Sequence, residues 1–206
     1  DVFIYALKHP ENYKAVIPGM HLEHISLLPS LVTESPVMKG IKKLIEEPAM
    51  AKEALLLEGE IGTGKKEIVR YLHHFHQKSG AIIHLSLEEF ETFPPRFDIE
   101  EASTLLIELK SKTTDDQIVS VRSAVSWAQG KNVQVIFAGT KISNEFLMET
   151  GISDAMRIIL PSLAERKEDI PFLVRQFLLE FHQSLGTQAI KVREDAMDQL
   201  KQTEWP

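Results

Sequence analysis

The chain has 206 residues, of which 43% are hydrophobic and 26% are charged, and its formal net charge is −7. This length and composition suit one α/β domain with a partial second one, and the acidic balance gives no chain-wide electrostatic case for nucleic-acid binding. The sequence has no cysteine, which fits a reducing compartment, and no apolar run approaches the roughly 18 residues of a membrane span. We therefore expect a soluble, cytoplasmic protein without a membrane partner.

The first elements along the chain are an irregular segment and a helix. Residues 1–30 are predicted to form a linker or an arm, because proline and glycine residues interrupt them repeatedly. A helix is expected to begin at Pro36 with Ser35 as its N-cap, since the side-chain oxygen of serine can accept a free N–H of the first turn and proline suits the first helical position.

Residues 54–77 carry the strongest local signal. An apolar run (residues 55–57) is followed by a glycine-rich loop and then by a helical pattern with one apolar face, formed by Ile68, Val69, Leu72 and Phe75. Glycines let backbone N–H groups turn toward phosphate oxygens, and the start of a helix adds partial positive charge. The sequence therefore predicts a P-loop that binds nucleotide through Gly59, Glu60, Ile61, Gly62, Thr63, Gly64, Lys65 and Lys66.

The two lysines of this loop differ in what they predict. Lys65 can reach the terminal phosphates as a point charge. Lys66 stands where serine or threonine usually holds magnesium. The loop therefore supports phosphate binding more strongly than metal binding.

Strands and helices alternate through the remainder of the chain. Strands are predicted at residues 81–87, 104–109, 133–138 and 156–160, and helices at residues 115–128, 169–185 and 193–202, with Thr113 or Thr114 capping the first of these helices. Nearly continuous apolar strands between helices indicate an α/β fold, with a parallel sheet covered by helices on both faces.

Several segments, in the right order, resemble the AAA+ domain of NtrC-type bacterial enhancer-binding proteins, the activators that remodel sigma-54 RNA polymerase. Residues 59–73 (GEIGTGKKEIVRYLH) are similar to the family's GESGTGKE. Residues 160–171 (LPSLAERKEDIP) resemble LPPLRERREDIP, residues 35–38 (SPVM) resemble ESPAM, and residues 204–206 (EWP) resemble the start of WPGNVREL. This resemblance implies a P-loop AAA+ fold, with a five-stranded parallel sheet in residues 31–163 and a truncated α-helical lid in residues 164–206.

The same resemblance reveals departures at the positions that perform hydrolysis. Glu108 matches the family's magnesium-binding aspartate, which makes it the candidate metal ligand, and Thr140 matches the asparagine of the sensor strand. Leu109 matches the glutamate that activates the attacking water. Because leucine cannot accept a proton, we treat Glu108 and Thr140 as degenerate Walker B and sensor positions and assign no catalytic residue.

Two loops of the family have no counterpart in this sequence. The GAFTGA loop, which touches the sigma factor, has no room between Leu87 and Ser103, and the arginine-bearing FREDLYYRLN segment is missing between Gly151 and Leu160. Arginine fingers supply about 10³ to 10⁵ in rate in related NTPases. These losses predict a domain that binds nucleotide for assembly or conformation, with little or no hydrolysis and no sigma-54 contact.

The resemblance also implies ligands and partners. The ligand would be ATP or ADP, with Mg²⁺ as a candidate metal. In the family a helix-turn-helix domain follows this region, and a sensory or receiver domain often precedes it, as in two-component systems. The resemblance therefore implies that the full-length protein acts on promoter DNA and RNA polymerase, and it also implies self-association. Some relatives sense cyclic di-GMP on this domain, and no residue here points to that ligand independently.

Three alternatives stay open. The chain could be an active ATPase that remodels sigma-54 polymerase, in which Glu108 would have to serve both metal and water. It could instead be an interaction scaffold whose P-loop stays empty. A metal site at His73, His74 and His76 competes with a packed or solvated helix face, since His73 and His76 share one side of the helix.

Overall fold

The computed structural model describes residues 20–23, 31–78, 80–87, 102–109, 113–152, 154–185 and 192–205. The strands are β1 (Met20–Glu23), β2 (Leu55–Glu58), β3 (Ala81–Ser86), β4 (Ala102–Glu108), β5 (Gln134–Gly139) and β6 (Met156–Ile159). They form one sheet in the order β1-β3-β4-β5-β2-β6. Strands β3, β4, β5, β2 and β6 run parallel to one another, which confirms the predicted five-stranded parallel sheet.

The sixth strand, β1, is a correction to the prediction that residues 1–30 are irregular. It pairs antiparallel with β3, with Met20 opposite Leu85 and Glu23 opposite Ile82. The strand is only four residues long and lies at the sheet edge. Its neighbour in the sheet is distant in sequence, so local pattern could not reveal it. The other residues predicted to form the arm lie outside the described part.

Five of the six described helices begin close to the predicted positions, and the short helix Asn144–Thr150 was not predicted. They are α1 (Pro36–Ile45), α2 (Lys65–Phe75), α3 (Asp115–Gly130), α4 (Asn144–Thr150), α5 (Ile170–Leu185) and α6 (Glu194–Gln202). Ser35 Oγ accepts from the Met38 N–H at 3.4 Å, and Thr114 forms a capping box with Gln117. The helix predicted from Asp169 begins one residue later, because Leu163–Asp169 form a 3-10 helix. A second 3-10 helix spans Pro48–Ala51.

The core lies on both faces of the sheet. Alternate positions along a strand point to opposite faces, so each central strand contributes to two apolar layers. One layer packs against α3 and α4 and includes Leu56, Ile83, Leu85, Leu105, Ile107 and Phe137. The other packs against α1 and α2 and includes Leu55, Leu57, Ile82, Leu106, Ile136 and Ala138.

Helix α2 differs from its predicted apolar face at one residue. Ile68, Val69 and Leu72 are buried, whereas Phe75 is 42% exposed and stacks on Tyr71 at the end of the helix. Within the described residues, no helix is both long and apolar enough to cross a membrane.

Candidate nucleotide-binding site

The predicted site residues meet at the carboxyl edge of three neighbouring strands. Strand β5 lies between β4 and β2, with Glu108 opposite Ala138 and Glu58 opposite Gly139. The glycine loop follows β2, Glu108 ends β4 and Thr140 follows β5. Ligands of open α/β sheets bind at this edge, so the fold places the loop, Glu108 and Thr140 together.

The backbone of the loop requires glycine. Gly62 and Gly64 have φ angles of 85° and 92°, in the left-handed region that side chains disfavour. At Gly59, a Cβ atom would lie 2.9 Å from Thr63 Oγ1 and 3.0 Å from the Leu160 carbonyl oxygen. The tight curve of the loop between β2 and α2 therefore requires glycine at these three positions. Phosphate-binding loops have the same kind of curved backbone.

Lys65 is the first residue of α2, and its side chain folds back over the loop. Its Nζ atom donates to the carbonyl oxygens of Gly59 and Glu60, at 2.7 Å each. Burial lowers the pKa of Lys65, and the nearby charge of Glu108 partly offsets this. The ammonium group thus lies at the loop and at the positive end of the helix, where it can exchange carbonyl partners for phosphate oxygens.

Lys66, the next residue, forms an ion pair instead. Its Nζ atom lies 3.2 Å from Glu108 Oε2. The same oxygen lies 3.0 Å from Nε2 of His84, a buried residue of β3. Burial by itself would raise the pKa of Glu108, but the hydrogen bond and charge of Lys66, together with His84, hold it below its usual range. The predicted metal ligand is therefore an ionised carboxylate that already has two partners.

The two other predicted positions of the hydrolytic site carry little chemistry. Leu109 is 9% exposed and packs in the core on the α3 face of the sheet, and its N–H donates to the Ala138 carbonyl at 2.7 Å. Thr140 is exposed just after β5. Leu109 offers no proton acceptor, so a general base at this position is absent from the site.

Sequence reasoning missed Arg166, which contacts the loop from the start of the lid. Arg166 is buried and its Nη2 atom donates to the Thr63 carbonyl at 2.7 Å. Its Nε atom is also buried and has no hydrogen-bond partner within the described part of the chain. The matched LAERKEDI segment contained this residue, but only the fold shows that it reaches the P-loop.

Arg157 is the one arginine between Gly151 and Leu160, the stretch in which the resemblance predicts that the family's arginine segment is missing. It forms an ion pair with Glu58 and donates to the Ile142 carbonyl at 3.1 Å and to Asn144 Oδ1 at 2.9 Å. Its guanidinium is thus committed to groups of its own chain. Residues 88–101, where a GAFTGA loop would lie, are outside the described part of the chain.

The histidines at the end of α2 (His73, His74 and the C-cap His76) favour a packed helix face over a metal site. His73 Nδ1 lies 2.8 Å from Thr104 Oγ1, and His76 Nε2 lies 2.8 Å from the Ile45 carbonyl oxygen, while His74 is exposed. Burial, with the charge of Lys78, lowers the pKa of His73 to about 4. In the described ranges, no group of three or more His, Cys, Asp or Glu residues could hold a metal ion.

Fold and site together define a P-loop AAA+ α/β domain. The family model for the Sigma-54 interaction domain matches residues 31–91, and the model for the AAA+ ATPase lid domain matches residues 164–206. These matches and the relatives described next confirm the resemblance to NtrC-type enhancer-binding proteins.

Three relatives illustrate the similarity. The chain is 22% identical to the formate hydrogenlyase transcriptional activator of Salmonella typhimurium, covering 85% of this chain and 31% of that protein. It is 25% identical to the DNA-binding transcriptional regulator NtrC of Klebsiella pneumoniae, over 85% and 46% of the two chains. The crystal structure of NtrX from Brucella abortus in complex with ATP has the same fold, with a TM-score of 0.63, 22% identity and coverage of 85% and 47%. The chain thus spans a third to a half of these relatives.

Proposed function

We propose that this chain is the central AAA+ domain of an NtrC-like transcriptional regulator that binds ATP or ADP to set its assembly or conformation, with little or no hydrolysis. One observation carries the proposal. An intact phosphate-binding loop faces a β4 strand end at which the water-activating position is the buried Leu109.

Phosphate binding rests on the geometry of the loop and on the position of Lys65. The left-handed glycines curve the backbone around the start of α2, where N–H groups and the helix dipole attract anions. Lys65 Nζ donates to the Gly59 and Glu60 carbonyl oxygens. A change of its side-chain rotamer would direct the ammonium group toward a bound phosphate. The NtrX relative, which was crystallised with ATP, supports the same use of this fold.

Slow hydrolysis rests on the absence of a general base. A base must lie within hydrogen-bond reach of the attacking water, and Leu109 is packed into the core. Glu108, the carboxylate at the end of β4, is held by Lys66 and His84, so it is not free to take a proton from water. Arg157 is bound within its own chain and cannot act as an arginine finger.

The partners of the full-length protein follow from the family. Its relatives are transcriptional regulators, so RNA polymerase, promoter DNA and self-association are part of this proposal, and cyclic di-GMP is a candidate ligand suggested by relatives alone. Without a sigma-54 contact loop, the domain would regulate without remodelling polymerase.

Two assays on the unmutated chain test this function. Calorimetry with ATP and with ADP is expected to show binding, and a phosphate-release assay at high protein concentration is expected to show turnover far below about 1 s⁻¹, the low end of typical enzymes. Absence of binding would favour the scaffold alternative. Turnover at or above that rate would favour the active ATPase.

A further inference from the structure

Two positions that hold magnesium in many P-loop proteins contact each other in this chain, although the family motif GESGTGKE has glutamate at the first of them. These are the residue after the P-loop lysine, here Lys66, and the carboxylate at the end of the Walker B strand, here Glu108. Lys66 Nζ lies 3.2 Å from Glu108 Oε2. An ammonium group has three donors and no acceptor, so Lys66 cannot ligate a metal where a hydroxyl would.

The residues present do not fit a magnesium ion. Mg²⁺ requires oxygen ligands in near-octahedral geometry at about 2.0–2.1 Å. The site offers the carboxylate of Glu108, and the oxygen in question already lies 3.0 Å from His84 Nε2 and next to the Lys66 ammonium. A divalent ion bound to Glu108 would have to displace the Lys66 ammonium or lie next to it, and the two positive charges would repel each other.

We infer that the Lys66 ammonium takes the place of the magnesium ion, so that this domain binds a nucleoside di- or triphosphate without a divalent cation. This inference rests on the proposed nucleotide binding. Lys65 and Lys66 are the first two residues of α2 and bring two positive charges to the start of that helix. Together they place two positive charges beside the phosphates, where a lysine and a divalent ion would place three.

The ion pair leaves Lys66 able to meet a ligand. Its side chain is 43% exposed and that of Glu108 is 33% exposed, so the ammonium is not sealed in the core. One of its three donors suffices for Glu108, and the others can be offered to phosphate oxygens. Glu108 then acts as a positioning residue, which holds the ammonium near the loop as it would hold a metal.

Calorimetry with ADP and ATP in excess EDTA and in excess MgCl₂ tests the inference. For the unmutated chain, we expect the two dissociation constants to differ by less than about threefold. In the double variant Lys66→Ser, Glu108→Asp, which restores a hydroxyl and a shorter carboxylate, we expect affinity in EDTA to fall on the order of tenfold below the value with Mg²⁺.

Lys39→Ser is the matched control. It removes one positive charge and one ion pair, since Lys39 Nζ lies 3.5 Å from Glu34 Oε2, but Lys39 is in α1, outside the loop. We expect it to bind nucleotide as the unmutated chain does in both buffers. If the double variant unfolds early in a thermal melt, Lys66→Gln replaces it and is expected to lose affinity in EDTA on the order of tenfold against the unmutated chain.

The outcomes separate this inference from the function on which it rests. Binding by the unmutated chain with Mg²⁺ alone would overturn the inference and leave the proposed nucleotide binding intact. Lys66 variants that bind as tightly as the unmutated chain in EDTA would also overturn it. No binding in either buffer would overturn the proposed function and this inference with it.

Discussion

Lys65 is the residue whose replacement most directly tests the loop. Its Nζ donors are held by the Gly59 and Glu60 carbonyls at 2.7 Å, close to the place where terminal phosphates would lie. We expect Lys65→Ala to weaken ATP and ADP binding on the order of tenfold or more, because the charge that meets the phosphates is lost. Calorimetry measures the change, with Lys39→Ala as a surface control, and equal affinity in Lys65→Ala would contradict the prediction.

His73 makes stability depend on pH. Its pKa is lowered to about 4 in the folded chain by burial and by Lys78, whereas the unfolded chain binds the proton near pH 6.5. As the pH falls, His73 is protonated in the unfolded state at a higher pH than in the folded state. The unfolding free energy that the neutral side chain contributes above about pH 6.5 is therefore lost as the pH falls toward about 4. Between about pH 7 and pH 5, we expect His73 to account for a loss on the order of 1–2 kcal/mol in unfolding free energy.

Urea unfolding at both pH values measures this loss. His73→Asn keeps a polar group near Thr104 and cannot be protonated, so its unfolding free energy should fall less at the lower pH. The pKa of Lys78 is lowered to about 8 by burial, so Lys78 stays charged throughout the window. The exposed neighbour variant His74→Asn should retain most of the slope, because His74 is the smallest of the contributions that lower the pKa of His73. A His73→Asn slope equal to that of the unmutated chain would refute the assignment.

At the level of elements, Asp169 connects the start of α1 to the start of α5. Its fully buried carboxylate accepts from the Glu34 and Ser35 N–H groups at 2.7 Å each and from Ser35 Oγ at 2.9 Å. Asp169→Ala would leave these donors without their acceptor, so we expect it to lower the unfolding free energy by about 3 kcal/mol. Urea unfolding checks the value.

Asp195→Ala is the control for this prediction. Asp195 also lies at the start of a helix, in the first turn of α6, but it is exposed and pairs with the exposed Arg193. We expect a change within about 0.5 kcal/mol. Equal losses in the two variants would show that the Asp169 contacts do not stabilise the junction.

At the level of the whole molecule, the chain spans 46% of the length of NtrC, and the prediction concerns the full-length regulator of the proposed function. We expect the full-length protein to regulate transcription by binding DNA and contacting polymerase statically, with nucleotide biasing its assembly. In-vitro transcription from its own promoter, with each sigma factor in turn and with ATP or a non-hydrolysable analogue, measures this. Activation restricted to sigma-54 and hydrolysable ATP would restore the ordinary remodelling mechanism.

Local signals in the sequence predicted the main outline of the site and most of the elements, with β1 and α4 as the exceptions. The apolar strands, the Ser35 and Thr114 caps and the glycines between β2 and α2 act over a few residues, so their patterns predict structure directly. The family resemblance added the lid and predicted that Leu109 stands at the position of the water-activating glutamate. These features depend on neighbours in the chain, which is why the sequence alone could specify them.

The tertiary structure alone decided the contacts between distant residues. Arg166 reaches the Thr63 carbonyl across 103 positions of the chain, and Arg157 meets Glu58 across 99. The strand order brings Lys66 to Glu108 and His84. Strand β1 likewise forms through its antiparallel pairing with β3, and its own residue pattern does not predict it. No local period encodes such contacts, because they form only when packing of the sheet and helices brings the segments together.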